Sequence, residues 1–191
     1  MQKTNLFRWT LGVAVLAAVI APSRPAYTSA QDSGNRLAFE GKNAVYEAAG
    51  TFQSWRITKA DIPGGNLEKG VVELTVDLAS VSEKSEDLAA HLRTNDFFDV
   101  AKFTTAKVTI QNARPTGDKT YAATATVDLH GIKRDVPVTF RVVSESPLKI
   151  DGEATLRRTD FGIGSPYDSK DELSVQEDIR ILLSATLPTT S

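Results

Sequence analysis

Strict two-residue alternation of apolar and polar side chains constrains this chain more than any other feature. Val72, Leu74, Val76 and Leu78 alternate with Glu73, Thr75 and Asp77, and Val108 and Ile110 with Lys107, Thr109 and Gln111. Tyr121, Ala123, Ala125, Val127 and Leu129 share a face opposite Thr124, Thr126 and Asp128. Val136, Val138, Phe140 and Val142 repeat the pattern, as do Leu148, Ile150, Gly152, Ala154 and Leu156. Successive side chains of a strand point to opposite faces, so each run predicts one buried and one wet face, the habit of antiparallel sheets. With Leu37–Phe39, Ala44–Phe52 and Leu173–Leu187, about eight strands are expected. Turn chemistry separates them at Pro63–Asn66, at Pro115–Asp118 and at His130–Gly131. Eight such strands can close into a barrel, which removes sheet edges, or pack as a sandwich; the pattern allows both.

One stretch breaks the period. Ser82–Arg93 predicts a short helix over residues 83–93, with Ser80 or Ser82 as its cap and Glu83, Glu86 and Asp87 near its positive end. Leu88 and Leu92 share a face, and the helix leads into the aromatic run Phe97, Phe98 and Phe103, fenced by Asp96 and Asp99. A lone helix followed by an aromatic loop predicts a plug on a β-structure.

Residues 1–30 combine the basic Lys3 and Arg8, an uncharged apolar run Trp9–Ala21, and small residues Thr28–Ser29–Ala30, the pattern of a cleaved secretory signal. The run is shorter than the roughly 20 apolar residues that a membrane-crossing helix needs. Residues 31–191 are then expected to form one exported, periplasmic domain. Lys3, Arg8 and Arg24 are the only charges in the first thirty residues, so the remainder keeps 19 of the 22 basic residues against 24 acidic ones, a net charge of −5. That balance argues against nucleic acid as a partner and against a polybasic hold on anionic lipid. The chain has no cysteine, so the fold depends on its core alone and thiol chemistry is excluded.

Three stretches carry a family resemblance: His91–Phe103 (HLRTNDFFDVAKF), Asp128–Phe140 (DLHGIKRDVPVTF) and Arg157–Gly164 (RRTDFGIG), with a fainter fourth at Gly50–Trp55. Their order and spacing resemble the YceI-like family of periplasmic proteins that bind polyisoprenoid and other amphiphilic lipids. The chain departs from the family at Phe103–Thr104, where Tyr-Pro or Phe-Pro is frequent, and at Ala125, where Gly is frequent. The resemblance implies an all-β fold: a closed, lipocalin-like antiparallel barrel of about eight strands, with the short helix capping one end. It also implies an elongated apolar tunnel that holds a prenyl-type or other long-chain lipid for transport, storage or sequestration.

The candidate ligand-binding residues are Phe52, Leu74, Val76, Phe97, Phe98, Phe103, Val127, Leu129, Phe140 and Arg158. The apolar ones supply shape and dryness. Since Leu156 faces inward, Arg158 does too, either meeting a lipid head group or pairing with Asp96 or Asp99, the second being preferred because a buried charge takes a partner. The inward alanines and Gly152 leave room, which large residues across the lumen, such as Phe52 and Phe140, could equally fill. A side-chain-filled interaction or stress-response barrel is therefore the alternative to a lipid binder, and an enzyme acting on a small hydrophobic substrate is the lesser one. No catalytic set is expected: His91 and His130 do not cluster with acids at ligand spacing, and no Gly-x-Ser-x-Gly elbow occurs. Asp96 and Asp99 read as loop anchors rather than an acid–base pair, and Asp168–Glu172 lacks the spacing of a calcium loop. No metal and no cofactor is expected, only transient membrane contact, and a monomer or homodimer.

Overall fold

The computed structural model describes residues 34–188. The expected signal segment, residues 1–30, lies outside the described residues. Among the described residues, one α-helix and ten strands make up the regular structure, together with four short 3-10 turns. In chain order the strands are β1 (Arg36–Lys42), β2 (Glu47–Phe52), β3 (Trp55–Asp61), β4 (Val71–Asp77) and β5 (Val81–Glu83), followed by the helix α1 (Glu86–Leu92). Then come β6 (Thr105–Gly117), β7 (Thr120–Leu129), β8 (Ile132–Glu145), β9 (Leu148–Arg157) and β10 (Asp178–Thr186).

All ten strands join one antiparallel sheet in the order β3-β4-β6-β7-β8-β9-β10-β1-β2-β5. The all-β antiparallel expectation with a single helix holds; the strand count needs correction. β3 falls outside the eight expected runs, following β2 after only Gln53–Ser54, and β5 forms just ahead of the helix after the 3-10 turn Leu78–Ser80, so the strands number ten. The sheet curls, but its end strands β3 and β5 are not paired with each other. The two breaks face one another, and the bonds there are Gln53 N–H to Ser80 O (3.0 Å) and Asp77 N–H to Ser54 O (2.9 Å). Ser80, expected as a helix cap, instead braces this break: its Oγ accepts from Ser54 N–H at 3.0 Å and donates to Asp77 O at 2.6 Å.

The helix starts later than expected. Val81–Glu83 is drawn into the ladder by β2, so Ser85 caps α1, its Oγ accepting from Leu88 N–H at 3.3 Å. Glu86 and Asp87 occupy the first turn, where the helix dipole favours carboxylates. The β6–β7 turn also falls later, at Asp118–Lys119, because β6 runs on to Gly117. The β7–β8 turn sits at His130–Gly131 as expected, both residues having positive φ (56° and 77°), the type I′ geometry that suits a twisted hairpin.

Alternation places Leu74, Val76, Val127, Leu129, Val136, Val138, Phe140 and Ile150 in one buried cluster inside the curl. The outer face carries ion pairs that span strands: Arg180 on β10 binds Glu40 on β1 (3.0 Å) and Glu153 on β9 (2.6 Å). At β6 the period slips. Asn112 adopts φ 59° in a bulge between Gln111 and Arg114, and the extra residue turns Ala113 inward in its place.

Gly50 pairs with Phe39, and the Phe39 ring lies across it: a Cβ there would stand 2.5 Å from Phe39 Cζ and 2.6 Å from the Ser82 carbonyl. Because one obstacle is backbone, Gly50→Ala is expected to cost about 2 kcal/mol or more in a urea unfolding titration. A cost below about 0.5 kcal/mol would show that this corner of the sheet yields easily.

Candidate functional site

The curl encloses a cavity of about 260 Å³. At the roughly 30 Å³ that each water molecule fills in the liquid, the cavity has room for about nine water-sized groups. Ile150, Gly152, Ala154 and Leu156, four successive inward positions of β9, all line it. At about 3.3 Å per residue they span roughly 20 Å along the strand, which makes the space elongated. Small side chains create it: Ala106, Ala113, Ala125, Gly152, Ala154 and Ala185 stand where larger residues would close the lumen. Phe140 faces Gly152 directly in the ladder, so the largest inward ring of β8 lies opposite the smallest residue of β9.

The two ends differ. At one, Ile62, Gly70, Ala113 and Leu187 are buried lining residues. At the other, Ala48, Leu88, Leu92, Val175 and Ile179 line the cavity while only half-buried. The mouth is therefore at the α1 end. α1 contributes Leu88 and Leu92 from its inner face, and the loop behind it contributes Phe97 and Phe98, with Phe98 held 5.8 Å from the Phe52 ring. Arg93 fastens this plug by donating to Ala79 O (3.1 Å), Val81 O (2.7 Å) and Glu86 (2.9 Å).

Nine of the ten residues expected to line the lumen do so: Phe52, Leu74, Val76, Phe97, Phe98, Val127, Leu129, Phe140 and Arg158. Phe103 does not. Asp99 (φ 43°) opens a turn in which its carbonyl accepts from both Lys102 and Phe103 N–H. That turn carries Phe103 away from the lumen and onto His130, ring centroids 4.2 Å apart. Sequence reasoning also passed over Leu88, Leu92, Ile62 and Leu67 as lining residues. The four-residue spacing of the first pair was the available signal; Ile62 and Leu67 sit in irregular segments that carry no period.

Arg158 is 5% exposed and does not pair with Asp96 or Asp99. Its guanidinium instead donates to three main-chain carbonyls: Ile163 (2.8 Å), Val175 (2.5 Å) and Gln176 (3.1 Å). Burial lowers its pKa from the ordinary value, partly offset by the charge of Glu177. Arg157, its neighbour, points outward and forms the ion pair with Glu177, whose carboxyl is thereby held below its ordinary range. The rest of the motif serves the same loop. Phe161 is 1% exposed, and Gly162 and Gly164 take φ 67° and 65°. A Cβ on Gly164 would stand 2.6 Å from Arg158 Nη1.

The three stretches that carry the resemblance meet at this end. Gly164 N–H donates to Asp96 O (3.0 Å), joining the third stretch to the first. His130 Nδ1 lies 3.2 Å from Phe161 O, which joins the second to the third and puts the proton on Nδ1. His130 Nε2 is left buried without a hydrogen-bond partner. Among the described residues no group of His, Asp and Glu has the arrangement of a metal site. The lining is aliphatic and aromatic except for Gln111, Arg158 and Glu153, whose carboxylate is turned to Arg180 on the outer face. Such a wall favours occupancy by an apolar chain through exclusion of water, with little means of directional recognition.

The fold recurs in solved structures. BcnA from Burkholderia cenocepacia superposes with a TM-score of 0.70 at 19% identity, over 78% of this chain and 94% of that one. A polyisoprenoid binding domain from Saccharophagus degradans superposes with a TM-score of 0.55 at 15% identity, over 81% and 94% respectively. In sequence, a UPF0312 protein of Pseudomonas savastanoi is 26% identical over 183 residues, 92% of this chain and 95% of that protein. A UPF0312 protein of Pseudomonas fluorescens is 30% identical over 129 residues, 63% of this chain and 66% of that protein. The YceI-like domain profile matches residues 27–187, and the chain belongs to the YceI-like family.

Proposed function

We propose that this protein binds one long apolar chain, of isoprenoid type or a similar amphiphile, in the cavity and exchanges it reversibly. One observation carries the reading: an elongated interior space remains open in a core whose wall is almost wholly hydrocarbon. Kinship with the YceI-like family and likeness to a polyisoprenoid binding domain support it. The side-chain-filled alternative fits the open volume less well. Each methylene leaving water contributes about 0.8 kcal/mol, so burial of even eight or so methylenes gains ample binding energy against water. A bilayer offers nearly the same gain. Net transfer therefore depends on small differences, which suits a carrier and needs no covalent step.

The sheet acts as a closed barrel, with the bonds across Gln53–Ser54 and Asp77–Ser80 replacing a ladder between β3 and β5. Residues 31–191 work as one domain in the periplasm after loss of residues 1–30. Its role is binding, with no cofactor and no catalysis.

Titration with a fluorescent farnesyl alcohol derivative tests the binding reading. Saturable one-to-one binding with a Kd of about 1 μM or tighter is expected, competed by a C20 prenyl alcohol better than by hexanol. Equal competition by hexanol, or no saturation, would overturn it.

A further inference from the structure

The loop tips at the mouth hold apolar side chains in water. Val45, Tyr46 and Leu173 are 62%, 46% and 70% exposed. Far apart in sequence, they are brought together by the main chain. Ala44 N–H donates to Glu172 O (3.2 Å), Asn43 Nδ2 to Leu173 O (3.4 Å) and Gln176 N–H to Lys42 O (2.8 Å). Asn43 Oδ1 accepts from Val45 and Tyr46 N–H at 3.0 and 2.7 Å, so the tip's own amides are satisfied and its side chains are left to project. Tyr46 Oη donates to Glu83 Oε1 at 2.8 Å, tying the tip to the strand that leads into α1.

The same two segments line the cavity on their inner side. Gly41 and Ala48 flank the β1–β2 tip, and Val175 follows Leu173 by two residues. Both loops therefore bear lumen-lining residues close in sequence to their exposed apolar tips. Scattered exposed apolar residues need no explanation, but a cluster joined to a cavity mouth does.

We infer that this rim docks on a lipid surface, a zwitterionic bilayer leaflet, and passes the bound chain between leaflet and lumen without a crossing through water. The inference rests on the binding reading above. The apolar side chains stand exposed on two loops, which suits a deformable interface better than a shaped protein groove. Tyrosine has an apolar body and a polar end, a combination favoured at the headgroup level. Charge selects the leaflet. The two loops carry Glu47, Asp168, Asp171 and Glu172 against only Lys42 and Lys170, so anionic lipid repels them.

The test uses the full protein and a double variant, Val45→Ser with Leu173→Ser; neither residue lines the cavity. Transfer of the farnesyl probe from protein to phosphatidylcholine vesicles should accelerate in proportion to vesicle concentration. The double variant should transfer at least about tenfold more slowly, with unchanged probe affinity in buffer. Adding phosphatidylglycerol to the vesicles should slow transfer by the native protein. A rate independent of vesicle concentration, or equal in the variant, would overturn docking and leave the rim to a protein partner. If the protein takes up no probe, the binding reading fails by itself. Flotation with phosphatidylcholine vesicles then decides docking: loss of flotation in the double variant supports it, and no flotation of the native protein overturns it.

Discussion

Gly152→Trp is expected to weaken binding of a prenyl probe by about a hundredfold or more while leaving the fold in place. A Cβ at Gly152 meets nothing closer than 3.5 Å, and its nearest neighbours are Phe140 Cβ, the Thr139 carbonyl and Leu183 Cβ. The new side chain therefore grows into the cavity, not into backbone. Excluding four or five methylenes of the ligand removes about 3–4 kcal/mol, or two to three decades in Kd. Ala154→Trp, one inward position further along β9, should act alike. Leu74→Trp and Val127→Trp would also block the lumen, but those residues are 4% and 8% exposed within packed walls, so overpacking adds a stability cost. Thr139→Trp on the outer face is the control and should bind normally. Equal binding by Gly152→Trp and Thr139→Trp, measured in one titration series, would place the ligand elsewhere.

Arg158→Met is expected to lower stability by about 3 kcal/mol, because three buried carbonyls lose their donor at once. For a domain of this size that is a fall of about 6–12 °C in Tm. Arg158→Lys should recover little of it. An ammonium has one nitrogen, whereas the bonds to Ile163, Val175 and Gln176 use three separate nitrogens of a planar fork. If Arg158 served a lipid head group instead, the Met variant would keep its Tm and lose probe affinity. Calorimetry beside the titration separates the two roles.

Much of this was legible in the residues, and the failures share physical causes. Period-two patterning assigned the inward faces of β7, β8 and β9 residue by residue, since one-sided burial leaves each side chain a single choice. It failed where the backbone leaves the regular pleat. The Asn112 bulge moves the inward position of β6 to Ala113, and the turn opened by Asp99 sends Phe103 to His130. β3 escaped notice because a bulge after Ile57 breaks its alternation, its apolar residues falling at Trp55, Ile57 and Ala60. For Arg158 the inward direction was legible and the partner was not. A search for an acid finds Asp96 and Asp99, but a carbonyl acceptor exists at every residue and leaves no mark in sequence. Free volume was equally hidden. The inward alanines and Gly152 made a cavity possible, and only the placement of Phe52 and Phe140 shows that they leave it open.

Native mass spectrometry of protein purified without detergent reads out whether the lumen holds a long apolar chain. An added mass that moves into organic solvent and fragments as a prenyl or acyl chain is the predicted result. A bare polypeptide mass that stays bare after incubation with prenyl quinones and prenyl alcohols would contradict the account.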